Sequence, residues 1–214
     1  MTPFLKLEDY LAPPPLPALI ALLMVLGLNS LGSRLVRGHH FRSVEPIEQA
    51  AGFVLATALI AVMAHSLALA GWANLGLLRM IAWSCAALGI WELFRFEWGR
   101  LLQLYHRFRV IFQEQSFWGK AAITLLIITG VGLLLTALGP PTDADSLDYH
   151  LGVPLDILRN HGLLPRPDWL HARLTGLGES LNMLGLAGGT DILGAVLQVA
   201  SLVAVLVAMN LLAK

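Results

Sequence analysis

The chain has 214 residues, of which 57% are hydrophobic and only 13% are charged. Soluble domains carry about 25% charged residues, so this composition excludes an ordinary soluble domain and predicts an all-α integral membrane protein. The formal net charge is zero, which leaves no bulk electric field to attract nucleic acid.

Five apolar segments are long enough to cross a bilayer, which needs about 20 residues. They run over residues 16–36, 49–71, 75–94, 119–138 and 192–213. Between the third and fourth, residues 98–118 carry an apolar stripe at helical spacing with arginines beside it, which predicts a helix at the membrane interface. The chain thus divides into a three-span region with this helix, residues 1–117, and a two-span region, residues 118–214.

Basic residues are concentrated in two of the connections between spans. Arg34, Arg37 and Arg42 lie at the end of the first span and just after it. A second basic group lies between the end of the third span and the start of the fourth, namely Arg95, Arg100, Arg107, Arg109 and Lys120. Cytoplasmic loops are enriched in Lys and Arg, so both connections are expected in the cytoplasm. The 71–74 turn and the polar segment 140–190 then share the extracytoplasmic side.

The polar segment contains two leucine stripes at helical spacing, over residues 147–160 and 174–186. Pro154 interrupts the first stripe, and His161-Gly162 signals its end. The stripes predict two short amphipathic helices that lie along the membrane surface.

A cluster of carboxylates opens the polar segment, and three interpretations of it remain open. Asp143 and Asp145 offer hard oxygen ligands for a divalent cation, Mg²⁺ or Mn²⁺, which is the only cofactor that the residues suggest. A carboxylate near an apolar surface is also suited to act as a general base. Alternatively, Asp143 or Asp145 caps a helix starting near Ser146 while Asp148 faces water.

Other polar residues of the segment are candidates for contacting a substrate, namely Asp148, His150 and Arg173. Glu179 lies in the second stripe, where it either meets the first acidic group across a cleft or faces water. His65 lies in the middle of the second span and is expected to pack against or bond to a neighbouring helix.

The order of these elements is distinctive. A span is followed by Asp-Ala-Asp-Ser-Leu-Asp-Tyr-His-Leu, a Gly-Leu-Leu-Pro turn, Gly-Leu-Gly-Glu-Ser-Leu-Asn and another span. Over residues 118–214 this order resembles the first external loop of the GT-C superfamily of membrane glycosyltransferases. The closest similarity is to the bacterial branch related to protein mannosyltransferases and aminoarabinose transferases.

The resemblance implies a location in the bacterial inner membrane and a polyprenyl-phosphate-linked sugar as donor. It also implies catalytic roles for Asp145, Tyr149 and Glu179. The first functional hypothesis is therefore a membrane glycosyltransferase, or its N-terminal portion, that acts on an acceptor outside the cytoplasm. The alternative is a non-catalytic subunit of a larger membrane complex, with the polar segment as its docking surface.

Overall fold

The structure is a computed structural model that describes residues 6–37, 45–95, 99–169 and 175–212. All regular secondary structure in these ranges is helical, which confirms the predicted fold class. The helices are α1 (Leu16–Arg37), α2 (Pro46–Leu69), α3 (Leu75–Arg95), α4 (Gly99–Glu114), α5 (Phe117–Leu138), α6 (Val153–Asn160), α7 (Leu177–Gly188) and α8 (Leu193–Leu212). A short 3₁₀ turn (Leu7–Tyr10) precedes α1, and a π-helical turn (Ser146–Gly152) precedes α6.

In the described part of the chain, α1, α2, α3 and α5 are long and apolar enough to cross a membrane. Their ends agree with the first four predicted spans to within three residues. The fifth predicted span corresponds to α8, whose described apolar stretch, Leu193–Met209, is shorter. The chain is therefore a multi-pass membrane protein. Residues 98–118 contain the separate helix α4, whose location at the membrane interface stays a prediction.

Local signals in the sequence account for where the helices begin and end. Glu48 in the first turn of α2 reaches back to the backbone N–H of Glu45, at 3.1 Å, and satisfies a donor that the helix leaves unpaired. The hydroxyl of Ser116 accepts from the N–H of Gly119 at the start of α5, at 3.3 Å. His161 ends α6 in the left-handed conformation, with φ of 59°, as the predicted stop required.

Glycines allow α1 to approach α2 and α3 at backbone distance. A methyl group at Gly27 would overlap the carbonyl oxygen of Cys85, and one at Gly89 would overlap that of Leu23. Gly32 and Gly52 form the corresponding close contact between α1 and α2. Small residues at such positions let membrane helices gain van der Waals contact along their backbones. The first three helices consequently form one tightly packed bundle.

Helix α7 is buried against this bundle, and it is not the surface helix that its leucine stripe predicted. It packs on α2, α3, α6 and α8, and the side chains from Met183 to Ala187 are almost fully enclosed. Gly185 and Gly188 make this approach possible, because a methyl group there would press on Leu193 and Ala82. A stripe of leucines identifies one apolar face of a helix. In α7, Gly185 and Gly188 also let other helices pack against further parts of its surface.

The polar segment is tied to one end of the bundle by backbone hydrogen bonds. The N–H of Leu163 donates to the carbonyl of Ala68 at 3.0 Å, and the N–H of Ala73 donates to that of His161 at 2.9 Å. The α2–α3 turn and the polar segment therefore lie at the same end of the bundle. Their relation to the cytoplasm stays a prediction from the arginine distribution.

Residues from both predicted regions share one hydrophobic core. Buried side chains of α1, α2 and α3 pack with those of α6, α7 and α8. By contrast, α5 packs mainly on α8 and α4, and only 6% of its apolar stretch is buried within the chain. The molecule thus combines a compact bundle with one peripheral membrane helix.

Candidate functional site

A cavity of about 700 Å³ opens between the polar segment and the membrane helices α2, α5 and α8. Ligand pockets typically measure about 300–1,000 Å³, so this cavity is large enough for a small substrate. Its polar lining includes Thr57, Thr136, Asp143, His150, Glu179, Asn182, Asp191 and Gln198. Carboxylates and an imidazole therefore face one space at the end of the apolar helices.

Glu179 is the most deeply placed carboxylate of this lining, with only 5% of its surface exposed. It lies in the first turn of α7, where its Oε2 accepts from the backbone N–H of Gly176 at 2.9 Å. A carboxylate is favoured at this position because the N-terminus of a helix carries partial positive charge. Its other oxygen, Oε1, lies 3.2 Å from Nδ1 of His150.

Tyr149 and His150 reach the site together from the π-helical turn. Their ring centroids are 4.7 Å apart. Loss of solvent around the ring, the negative charge of Glu179 and a hydrogen bond to Glu179 raise the pKa of the Tyr149 phenol. Tyr149, His150 and Glu179 thus form a continuous cluster of interacting polar groups, the Tyr149–His150–Glu179 cluster.

The unusual winding of the turn places these two neighbouring side chains. π-Helical turns are rare and are found frequently at functional sites. The turn passes into α6 at Val153, next to Pro154, which has no backbone N–H to continue a regular hydrogen-bond ladder. Trp169 packs against the turn at Gly152, and its indole N–H donates to Asp148 at 3.4 Å.

The three aspartates at the start of the polar segment have different environments. Asp143 accepts from the backbone N–H of Ser146 at 2.7 Å, which confirms the capping interpretation for this residue. Hydrogen bonds from Ser146 hold the pKa of Asp143 below its usual range. Asp145 is exposed, makes no capping bond and is not among the residues that line the cavity, although Asp143 and Ser146 are. Asp148 is also exposed.

The structure therefore brings together Tyr149, His150 and Glu179 but leaves Asp145 and Asp148 outside the cluster. Arg173, the third predicted substrate contact, lies outside the described residues. Among the residues that are described, no group of three or more His, Cys, Asp and Glu side chains is arranged to hold a metal ion. The Mg²⁺ or Mn²⁺ site predicted at Asp143 and Asp145 gains no further ligand from that part of the chain.

Two features of the site are only weakly indicated by the sequence. From its position just before α8, Asp191 is expected to cap that helix. It is half-buried beside the cavity, and burial raises its pKa. Ser180 follows Glu179 and is fully buried, with its hydroxyl 3.0 Å from Nδ1 of His65 on α2. His65 thus bonds a neighbouring helix as predicted, and this contact fixes the residue next to Glu179.

A buried carboxylate beside a partly exposed imidazole is an arrangement suited to proton transfer. The carboxylate orients the ring and stabilises its positive charge when the ring takes up a proton. The open side of the cluster faces the cavity, where a substrate group would have to lie. The geometry therefore supports acid–base chemistry at the edge of the membrane.

A family model described as the DUF1420 N-terminal domain matches residues 100–213. The match covers more than half of the chain, including α5, the polar segment and α8, so the chain belongs to that family. No curated protein and no solved structure matches the chain.

Proposed function

We propose that this member of the DUF1420 family is a membrane glycosyltransferase, or the N-terminal portion of one. It transfers a sugar from a polyprenyl-phosphate donor to an acceptor outside the cytoplasm. The observation that carries this proposal is the cavity, which is lined by membrane helices on one side and by His150 and Glu179 of the Tyr149–His150–Glu179 cluster on the other. The resemblance of residues 118–214 to the GT-C superfamily supplies the class of donor.

The proposed reaction suits a cavity at the membrane edge. A polyprenyl chain dissolves in the bilayer, which leaves its phosphate and sugar at the polar boundary where the cavity opens. In a single displacement, an acceptor hydroxyl attacks the anomeric carbon, and the bond from that carbon to the phosphate oxygen breaks. Polyprenyl phosphate leaves with the electron pair, and a group of the protein takes the hydroxyl proton.

The charges of the cavity favour one of the two proposed substrates, the acceptor or the donor, as its occupant. Its described lining includes Asp143, Glu179 and Asp191 but no Lys or Arg. Carboxylates accept hydrogen bonds from hydroxyl or amino groups and repel phosphate. We therefore assign the cavity to the acceptor, with the exposed Asp145, which precedes the lining residue Ser146, as an orienting group. The donor phosphate is assigned to basic residues such as Arg173 or to further membrane helices.

Donor consumption in a defined membrane tests the proposed function. The complete protein is reconstituted in vesicles with polyprenyl-phosphate mannose, glucose or aminoarabinose, and an extract of native membranes supplies the acceptor. We expect release of polyprenyl phosphate from one of these donors, and none from vesicles that lack the protein. A folded, complete protein that consumes none of the three donors contradicts the proposal.

A second candidate function is a non-catalytic subunit of a larger membrane complex, and α5 is the observation that favours it. This helix exposes large apolar side chains around most of its surface, including Leu125, Leu126 and Ile128. Such a surface is covered either by lipid or by the helices of a partner protein. Recovery of the protein in a stoichiometric complex, together with no donor consumption, would support this function instead.

A further inference from the structure

We propose that His150 is the proton acceptor of the reaction and that Glu179 is the positioning residue that holds its ring. This inference rests on the proposed function, because it names the group that takes the proton from the acceptor hydroxyl. The resemblance to the GT-C superfamily implies that Asp145 is the reactive group. The contacts in the structure favour His150 instead.

The first argument is burial. Glu179 has 6% of its side chain exposed, whereas His150 has 45% exposed and lines the cavity. Both groups line the cavity, and the imidazole is the one that is more accessible to a substrate there. Asp145 is exposed outside the cavity lining, so water competes for it.

The second argument is the tautomer of the ring. A carboxylate only accepts hydrogen bonds, so the 3.2 Å contact requires Nδ1 of His150 to carry the proton and donate it to Glu179. In the neutral ring, Nε2 then has a free lone pair. In the described part of the chain, Nδ1 of His150 has a hydrogen-bond partner and Nε2 of the same ring has none. The accepting nitrogen is thus left for a ligand.

The third argument is the charge around the ring. The groups that face His150 are Glu179 from α7, Asp143 from the start of the polar segment and Tyr149 beside it. Two carboxylates stabilise the imidazolium that forms when Nε2 takes a proton. No Lys or Arg lies in the described lining of the cavity to oppose that charge.

The step balances with these groups and the proposed donor. The acceptor O–H bond breaks, its proton moves to Nε2 of His150, and its oxygen forms a bond to the anomeric carbon. The bond between that carbon and the phosphate oxygen breaks, and polyprenyl phosphate leaves. Glu179 stays ionised and hydrogen-bonded to Nδ1 throughout, and the imidazolium loses its proton to water afterwards.

A measurement of the tautomer tests the inference without any assay of activity. The complete protein is labelled with ¹⁵N-histidine, and the His150 signals are assigned by their loss in His150→Asn. We expect the neutral ring to carry its proton on Nδ1. A neutral ring with its proton on Nε2 overturns the inference, because that ring presents a donor to the cavity and cannot accept a proton there.

A matched pair of variants tests the same inference by kinetics. Asparagine places its side-chain N–H close to the position of Nδ1, so His150→Asn keeps a donor for Glu179 but removes Nε2. We expect a loss of about 10²–10⁴-fold in kcat, the range typical of a removed general base. His161→Asn is the control, since His161 lies outside the cavity lining in a left-handed conformation that asparagine adopts readily.

The outcomes separate the two proposals. A folded His150→Asn protein with unchanged kcat overturns the role of His150 while leaving the proposed transferase function intact. Absence of transfer in the wild-type protein contradicts the proposed function, whereas the tautomer measurement still decides how Glu179 holds the ring. Thermal unfolding of each variant confirms that a loss of rate does not reflect a loss of fold.

Discussion

Two regions of the molecule carry carboxylates at the same end of the structure, namely the packed bundle and the periphery, which consists of α5 and the aspartates that follow it. The carboxylates differ in how far they are buried. Glu179 belongs to α7, which is enclosed by α2, α3, α6 and α8. Asp143 and Asp145 follow α5, which is hardly buried within the chain, and both are exposed. Glu179 is therefore held in one place by packing, while the two aspartates are surrounded by solvent.

This difference in burial explains how carboxylates of one molecule acquire different roles. A carboxylate in water is strongly solvated and interacts weakly with other charges, because the surrounding dielectric constant is high. A carboxylate that is shielded from water and fixed by a backbone N–H interacts more strongly with a nearby imidazole. The packing of α7 thus gives Glu179 a stronger influence on His150 than the exposed Asp143 has.

The largest expected effect comes from loosening the bundle itself. Gly27→Ala places a methyl group on the carbonyl oxygen of Cys85, so α1 and α3 must separate. We expect a loss of about 3 kcal/mol in unfolding free energy, at the upper end of the usual cost of overpacking. Denaturant unfolding in detergent micelles measures it.

Gly130→Ala in α5 is the control, because no atom lies within 4 Å of the added methyl group. Its stability should change by no more than about 1 kcal/mol, the difference in helix propensity between Gly and Ala. Equal losses in the two variants would show that the bundle and the periphery are packed alike.

The next largest effect is expected from removing the buried charge. Glu179→Gln retains an acceptor for the N–H of Gly176 but no longer stabilises a positively charged His150. We expect kcat to fall about 10²-fold, at the lower end of the range for acid–base groups, with KM unchanged. Steady-state kinetics of the complete protein in vesicles provide the measurement.

Glu48→Gln is the matched control for this variant. Glu48 occupies the same position in the first turn of α2 and makes the same backbone hydrogen bond, far from the cavity lining. Glutamine substitutes well in this capping arrangement. A decrease in kcat of the same size in both variants would mean that Glu179 serves only the helix terminus.

A smaller effect is expected from the exposed Asp145, which precedes the cavity-lining residue Ser146. Asp145→Asn should lower kcat/KM about tenfold, since an orienting group contributes through the position of the acceptor. Asp148→Asn is the control, because Asp148 is another exposed carboxylate outside the cavity lining, and it already accepts a hydrogen bond from Trp169. A loss of 10²–10⁴-fold for Asp145→Asn would identify this residue as the general base, as expected from the resemblance.

The smallest effect on activity is expected at Asp143, where the change concerns stability in acid. Its pKa is lowered in the folded protein, so it contributes stability above its unfolded pKa of about 4. That contribution is lost as the pH falls through the lower folded value. Thermal unfolding between neutral pH and strong acid should show a shallower acid decline for Asp143→Asn than for the wild type.

Activity at neutral pH should fall by less than in Asp145→Asn, because asparagine caps helices as well as aspartate does and solvent screens the exposed charge that Asp143 contributes near His150. Asp145→Asn is the control for stability, as Asp145 makes no capping bond and should follow the wild-type curve. Superimposable acid declines for Asp143→Asn and the wild type would contradict the capping role of Asp143.

The sequence was sufficient to predict the membrane helices, because span length and hydropathy are properties of consecutive residues. It was also sufficient for the turn at His161, while the catalytic roles that the resemblance implies for Asp145, Tyr149 and Glu179 stay predictions. It did not predict that most of α7, from Met183 to Gly188, is buried within the bundle. That result depends on Gly185 and Gly188 meeting other helices, and such contacts are not visible in a single stripe of leucines.

The pairing of His150 with Glu179 could not be read from the sequence for a related reason. The two residues are separated by 29 positions, and they meet only because the π-helical turn and the start of α7 pack together. The aspartates were more conspicuous in the sequence, since they cluster within a few residues. Clustering along the chain thus drew attention to Asp145, whereas burial distinguishes Glu179.

A double-mutant cycle on His150 and Glu179 tests most directly whether the two side chains act as one unit. The kcat values of the wild type, His150→Asn, Glu179→Gln and the double variant are measured in the same vesicles. Residues that act through each other give strongly non-additive losses. We expect the double variant to be no slower than His150→Asn alone. A loss equal to the product of the two single losses would contradict a shared role.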